Sequence, residues 1–201
     1  LLAAVLADGQ TILDNAAQEI EIDDLIAFLN SMGAKIKRTN PRTIVINGVN
    51  VLHGTEYSIM PDRNEEVTFA VASAVTHGSI IVHKSRPEYL TSFHEAFRSA
   101  GGFVEVIGND KTKYSIKNTL HPLDIMTAPY PGFMTDWQGP WAVLMTQAKG
   151  ISTIHETVFE SRFSYVSELK KMGANIEFYD PHVKNPEMFY NFNWEDRIPQ
   201  Y

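Results

Sequence analysis

Three stretches of the chain repeat one pattern, and that pattern limits what the chain can fold into. They are LLAAVLADGQTILDNAAQEIEIDDLIAFLNSMGAKIK from Leu1, TFAVASAVTHGSIIVHKSRPEYLTSFHEAFRSAGGFVEV from Thr68, and WAVLMTQAKGISTIHETVFESRFSYVSELKKMGANIEF from Trp141. Each opens with an apolar, Ala-containing helical run that stops at a glycine: Gly9, Gly78 or Gly150. A short β-branched strand follows (TIL, SIIV, STI), and then a second helix closed by Gly33, Gly101 or Gly173. The two glycines of each copy lie 24, 23 and 23 residues apart, and the closing ones recur at steps of 68 and 72. Glycine just past a helix is the usual left-handed cap. Lys170 and Lys171 suit a helix end electrostatically, Asp23 and Asp24 suit a start, and Pro87 suits a first helical position. A strand follows each closing glycine (AKIKR, FVEVI, ANIEF), and two copies run on into RTIVING and KYSIKN. The repeated unit is therefore helix–strand–helix–strand–strand, a period that signals stacked copies rather than unrelated elements.

The opening helices set the layering. LLAAVLA and TFAVASAV are small and apolar on every face, and such a helix is buried rather than laid on a surface. Helices inside with sheets around them is the arrangement this implies. With 44% apolar residues in 201, the chain can bury a sizeable core. Its net charge of -7 argues against a nucleic-acid partner, which needs clustered Lys and Arg, and argues more weakly against an anionic membrane. No apolar run approaches the ~20 residues of a membrane span. The absence of Cys excludes disulfides and thiolate metal sites and is compatible with the cytoplasm. LLAAVLADGQ lacks the basic start of a signal peptide. It reads as a helix already under way, so the chain reads as a piece of something longer.

Two linkers interrupt the repeat: GVNVLHGTEYSIMPDRNEEV and TLHPLDIMTAPYPGFMTDWQG. Each brings a proline-bearing loop with an acid to the start of a buried helix, at Pro61-Asp62-Arg63 and from Pro129 to Asp136. An acid there can simply cap free N–H groups, and for Asp62 that reading stands level with a functional one. The loop around Asp136 also carries Tyr130, Phe133 and Trp137, more rigid surface than a cap requires, and loops on a rigid scaffold concentrate binding residues. HETVF around His155 lacks a second His four residues on, so it is no zincin site, and the other His residues show no ligand spacing. GPWAVLMTQAKG lacks the spacing and the Lys-Ser/Thr pair of a phosphate loop.

Four motifs in order, LDNAAQEIEI, SIMPDRNE, PLDIMTAPYPGFMTDWQ and TIHETVFESRF, resemble the UDP-N-acetylglucosamine 1-carboxyvinyltransferases from Leu1 to about Phe178. Enolpyruvylshikimate-phosphate synthase is the structural cousin, with motifs that match less well. The resemblance implies an α/β fold of repeated units, part of an inside-out α/β barrel in which two similar domains each hold three repeats. It assigns residues 1–60 to the last repeat of one domain and residues 61–201 to the first two repeats of the second. It implies transfer of the enolpyruvyl group of phosphoenolpyruvate to the 3-hydroxyl of UDP-N-acetylglucosamine, with release of phosphate. That is a step of peptidoglycan synthesis in the cytoplasm, with no cofactor and no metal. The alternatives are a sugar-nucleotide-binding relative without turnover and a repeat scaffold with no small ligand.

By the same resemblance, Asp136 contacts the sugar hydroxyl and is the general base, with its loop's aromatics free to pack around substrate. Arg162 binds the phosphoenolpyruvate carboxylate, and the backbone at Val158 contacts the nucleotide sugar. Glu19 and Glu21 are cleft acids, and Asp62 with Arg63 is an interdomain acid–base pair. Glu19 and Glu21 read equally well as acids at a helix start. The chain departs from the family in places. Gln18 stands where Arg is common, Ile20 where Pro is common, and DWQGP replaces DMQAQ. Beyond Phe178, YDPHVKNPEMFYNFNWEDRIPQY is longer and more aromatic than the expected hairpin, as an insertion, a lid or a partner contact would be. The family's lysine–asparagine pair, mobile-loop cysteine and several phosphate-binding arginines lie outside this stretch, so by itself it is expected to be inactive.

Overall fold

A computed structural model describes residues 1–117 and 119–193. They form two compact units, Leu1–Pro61 and a second that begins at Asp62.

The first unit holds β1 (Gln10–Leu13), α1 (Ile20–Ser31), β2 (Lys35–Asn40) and β3 (Thr43–Asn47), with the strands in the antiparallel order β1-β3-β2. Alternation along the strands turns Ile36, Ile44 and Ile46 inward, where they meet Ile26 and Leu29 of α1 and Val5. The second unit opens with α2 (Arg63–Val75), β4 (Ser79–His83), a 3-10 turn at Pro87–Tyr89, α3 (Thr91–Ser99), β5 (Gly102–Ile107) and β6 (Lys111–Ile116). Its strand order, β4-β6-β5, is the order of the first sheet, with the last strand of the copy in the middle. The second linker gives β7 (Ile125–Met126) and a 3-10 turn at Thr135–Trp137, and the third copy follows with α4 (Gln138–Met145), β8 (Ile154–His155) and α5 (Val166–Lys171). A single turn of helix, α6 (Pro186–Phe189), follows. β7 and β8 pair in parallel, so α4 is the crossover between them.

The ends of α1, α3 and α5 follow the glycine pattern; α4 stops at Met145, short of Gly150, and no helix precedes Gly9. Gly33 and Gly173 take φ of +99° and +94°. Past α1, the N–H of Gly33 bonds Asn30 and that of Ala34 bonds Leu29. Past α5, Gly173 bonds Lys170 and Ala174 bonds Leu169, the same double-bonded cap. At the end of α2 it is His77, not Gly78, that is left-handed, with φ of +54°. Gly78 closes the cap from the next position, by a 2.7 Å bond to Ser73.

Three expectations about elements fail. Leu1–Ala7 forms turns rather than a helix. ANIEF after Gly173 is not a strand. In the other copies that strand pairs with the one after it, and here YDPHVKNP follows, which supplies no partner. Finally, burial on all faces, expected of TFAVASAV, does not hold for α2. α2 buries Val67, Ala70, Val71 and Ala74 while Thr68, Phe69 and Ala72 face outward.

The core of the second unit is aromatic. Phe93 meets Trp137 and Trp141 edge-on at 5.9 and 6.3 Å, and Phe133 meets the same two rings at 5.5 and 5.4 Å. A buried polar layer runs beside it. Glu66 Oε1 accepts from Ser85 and from Tyr114, both at 2.6 Å; Ser85 meets Thr112 at 2.6 Å, and Tyr114 meets His94 Nε2 at 2.7 Å. The aromatic stretch past Phe178 returns to β8. Phe189 stacks on His155 at 5.2 Å, Tyr190 OH lies 3.0 Å from His155 Nε2, and the Asn191 N–H bonds Thr157 O at 2.8 Å. Its last residues, 194–201, lie outside the described ones.

Candidate active site

The loop before α4 is fixed at both ends and at its tip. Thr127 N–H donates to His155 O at 2.9 Å, Ala128 N–H to Phe133 O at 2.8 Å, and Ser92 Oγ to Gly132 O at 2.9 Å. The Tyr130–Pro131 peptide is cis. Phe133 and Trp137 go into the core, 8% and 1% exposed, and Trp137 Nε1 donates to Asn64 at 2.8 Å. Two of the loop's three aromatics therefore anchor it and are not free to surround a ligand.

With its neighbours Thr135 and Trp137 buried, the turn leaves Asp136 facing outward. Its Oδ1 accepts from Arg162 Nη2 at 2.8 Å, with both side chains about two-fifths exposed. The structure thus brings together two residues 26 positions apart in sequence. An ion pair this exposed contributes little stability, ~0–1 kcal/mol.

Behind the pair lies Glu156, 6% exposed. Its Oε1 accepts from Thr127 Oγ1 at 2.9 Å and from the N–H groups of Val158 and Phe159 at 2.7 and 3.0 Å. Its Oε2 accepts from Thr135 Oγ1 at 2.7 Å and from Gln138 Nε2. Gln138 Oε1 in turn accepts from Tyr165 OH at 2.8 Å. Burial, and then the charge of Glu156, push the Tyr165 hydroxyl pKa up, so it stays a donor. The Val158 N–H is thus turned in to Glu156.

The other expected residues fall elsewhere. Asp62 caps α2, accepting from Asn64 N–H at 2.7 Å. Arg63 is buried under the loop, with Nη1 donating to Tyr89 O at 3.2 Å and its guanidinium 4.7 Å from the Tyr130 ring centre. Glu19 and Glu21 belong to the first unit. Glu19 precedes α1 without a side-chain cap bond, and its Oε2 is buried with no hydrogen-bond partner among the described residues. Glu21 is exposed in the first turn of α1. Glu156, Gln138, Thr127 and Thr135 were not anticipated. Their one sequence signal was an acid flanked by polar and β-branched residues at the end of a short strand.

The profile of the EPSP synthase (3-phosphoshikimate 1-carboxyvinyltransferase) family matches residues 1–190. The chain is 49% identical over 176 residues to the UDP-N-acetylglucosamine 1-carboxyvinyltransferase of Magnetococcus marinus, covering 88% of this chain and 42% of that one. It is 43% identical over 177 residues to the protein of that name from Acidobacterium capsulatum, covering 88% and 41%. It spans about two-fifths of the length of these relatives. Among solved structures, the enolpyruvyl transferase NikO from Streptomyces tendae matches with a TM-score of 0.74 at 25% identity, over 84% of this chain and 40% of that one. An EPSP synthase from Acinetobacter baumannii, at a TM-score of 0.57 and 19% identity over 85% of this chain and 40% of that one, shares the fold. The repeated α/β units are thus part of an enolpyruvyl-transferase fold, and the chain belongs to the EPSP synthase family, where it is similar over most of its length to the UDP-N-acetylglucosamine 1-carboxyvinyltransferases.

Proposed function

We propose that the protein carrying this chain transfers the enolpyruvyl group of phosphoenolpyruvate to the 3-hydroxyl of UDP-N-acetylglucosamine. The observation that carries the reading is the Asp136–Arg162 pair, an outward-facing carboxylate on an otherwise anchored loop with a guanidinium 2.8 Å away on the segment after β8. Arg162 is the phosphoenolpyruvate carboxylate site, since a planar guanidinium holds a carboxylate by two parallel bonds. A substrate carboxylate taking that place displaces Asp136 from the guanidinium and leaves it free to accept a proton. The sugar oxygen then bonds to the enolpyruvyl carbon that bears phosphate. The bond from that carbon to the phosphate oxygen breaks, and the hydroxyl proton passes to Asp136. Because the Val158 N–H is committed to Glu156, a backbone contact from Val158 to the nucleotide sugar falls to its carbonyl. Glu19, Glu21, Asp62 and Arg63 take the cleft and interdomain roles of the family in this reading. Residues 1–60 and 61–201 belong to its two successive domains. The setting is the cytoplasm, and the product feeds the cell-wall synthesis on which cell shape and division depend.

The test is Asp136→Asn in the full-length protein. The amide keeps the size but cannot take a proton at neutral pH. Turnover followed by phosphate release should fall roughly 10²–10⁴-fold, the usual contribution of a positioned base, or about 3–5 kcal/mol of barrier. The melting temperature and the calorimetric affinity for UDP-N-acetylglucosamine should change little. Near-normal turnover in the variant rejects the base. A wild-type protein that binds the sugar nucleotide without releasing phosphate supports the non-catalytic alternative.

A further inference from the structure

We infer that Glu156 is a positioning residue that sets the geometry between Asp136 and Arg162. The inference rests on the transfer reading above for its catalytic consequence, but its structural basis is independent of it. Five donors converge on this one buried carboxylate, from two separate segments. Thr127 and Thr135 belong to the loop that carries Asp136, and Gln138 opens α4 directly after it; Val158 and Phe159 belong to the segment that leads to Arg162. Thr135 lies one residue before Asp136 and Gln138 two after it. Val158 and Phe159 lie four and three residues before Arg162. Both flanks of the exposed pair are therefore tied to the same two oxygens.

All five partners donate, which suits a group that only accepts. The arrangement is also hard to replace. In Glu156→Gln the side chain keeps its shape and one acceptor but turns the other oxygen into an N–H₂ donor. Set toward Val158 and Phe159, that donor faces two backbone N–H groups that cannot reverse. Set toward the loop, it faces Thr135, whose hydroxyl can turn, and Gln138, whose acceptor oxygen already holds the Tyr165 hydroxyl. In either orientation at least one of the bonds that hold a flank of the pair is lost. A reacting group misplaced by ~1 Å can lose about 10²-fold in rate.

The experiment uses the full-length protein, with phosphate release from phosphoenolpyruvate and UDP-N-acetylglucosamine as the readout, for Glu156→Gln alone and combined with Asp136→Asn. A residue that acts through Asp136 gives a non-additive cycle. We expect Glu156→Gln to lower kcat/KM by about 10²-fold in the wild-type background and by less than about 3-fold when Asp136 is already Asn. Equal losses in both backgrounds, or no loss in the first, overturn the inference. If Glu156→Gln does not fold, Thr135→Ala decides. It removes one donor and should cost several-fold in kcat at an unchanged melting temperature, with recovery in Thr135→Ser; wild-type turnover in Thr135→Ala overturns the inference. A crystal structure of a folded variant separates this inference from the transfer reading. An intact Asp136–Arg162 bond in Glu156→Gln overturns the positioning role, even in an inert protein. A broken bond together with an inert wild type overturns the transfer reading alone.

Discussion

His94 shows what burial does to a single group. Tyr114 spends its one hydroxyl proton on Glu66, so the 2.7 Å contact to His94 has the imidazole Nε2–H as donor. Burial first, and the charge of Arg98 second, hold the His94 pKa down at about 4. An unfolded histidine titrates near 6.5. Between these values the unfolded chain binds a proton that the folded one does not. The stability tied to neutral His94 is therefore complete above about pH 6.5 and is lost as the pH falls toward 4. Its size is roughly 3 kcal/mol, at ~1.4 per unit. Glu66 works in the opposite direction. Burial raises its pKa against the bonds from Ser85 and Tyr114, so the folded state holds that proton where the unfolded state is ionised, and this contribution grows on acidification. A difference measurement isolates His94: His94→Gln keeps a donor toward Tyr114 but cannot titrate. In urea unfolding from pH 7 to pH 4, the stability of wild type relative to His94→Gln should shrink with acid. A difference that stays flat across that range refutes the assignment.

Among the elements, α2 lets the two readings of Asp62 be weighed. Its side chain caps the helix from 2.7 Å. Asp62→Ala should then cost about 1 kcal/mol, and Asp62→Asn close to nothing. Chemical denaturation of both variants checks this, and equal losses would show that charge rather than capping matters at that position. The ends of α1, α3 and α5 and the strands β2 to β6 were legible in the sequence because their causes are local: a glycine past a helix, a β-branched run, a turn between strands. The failures have non-local causes. ANIEF has strand composition but no neighbour to pair with. Glu156 was illegible for the same reason, since its side-chain partners lie 18 to 29 residues earlier and nothing adjacent marks it as buried. Asp136 and Arg162 were legible only through motif resemblance. Composition alone said that the loop was rigid, and it did not say that Phe133 and Trp137 serve the core.

On the scale of the whole chain, two sheets of identical strand order recur in separate units, so the repeat seen in the glycines is a repeat of topology. The chain spans about two-fifths of its relatives' length. The enclosed hydroxyl of Tyr114 bears on the folded state as a unit. Burial, followed by the neighbouring Glu66 charge, drives its ionisation far above that of an ordinary phenol. In an alkaline absorbance titration it is therefore a silent chromophore for as long as the protein stays folded. Replacing Tyr114 with Phe should leave the phenolate signal of the folded protein unchanged and remove one equivalent from the signal of the denatured one. A folded-state titration that loses an equivalent in the variant would show that water reaches the layer between α2 and β6. With that result excluded, the late rise in phenolate absorbance becomes an optical clock for the opening of this core.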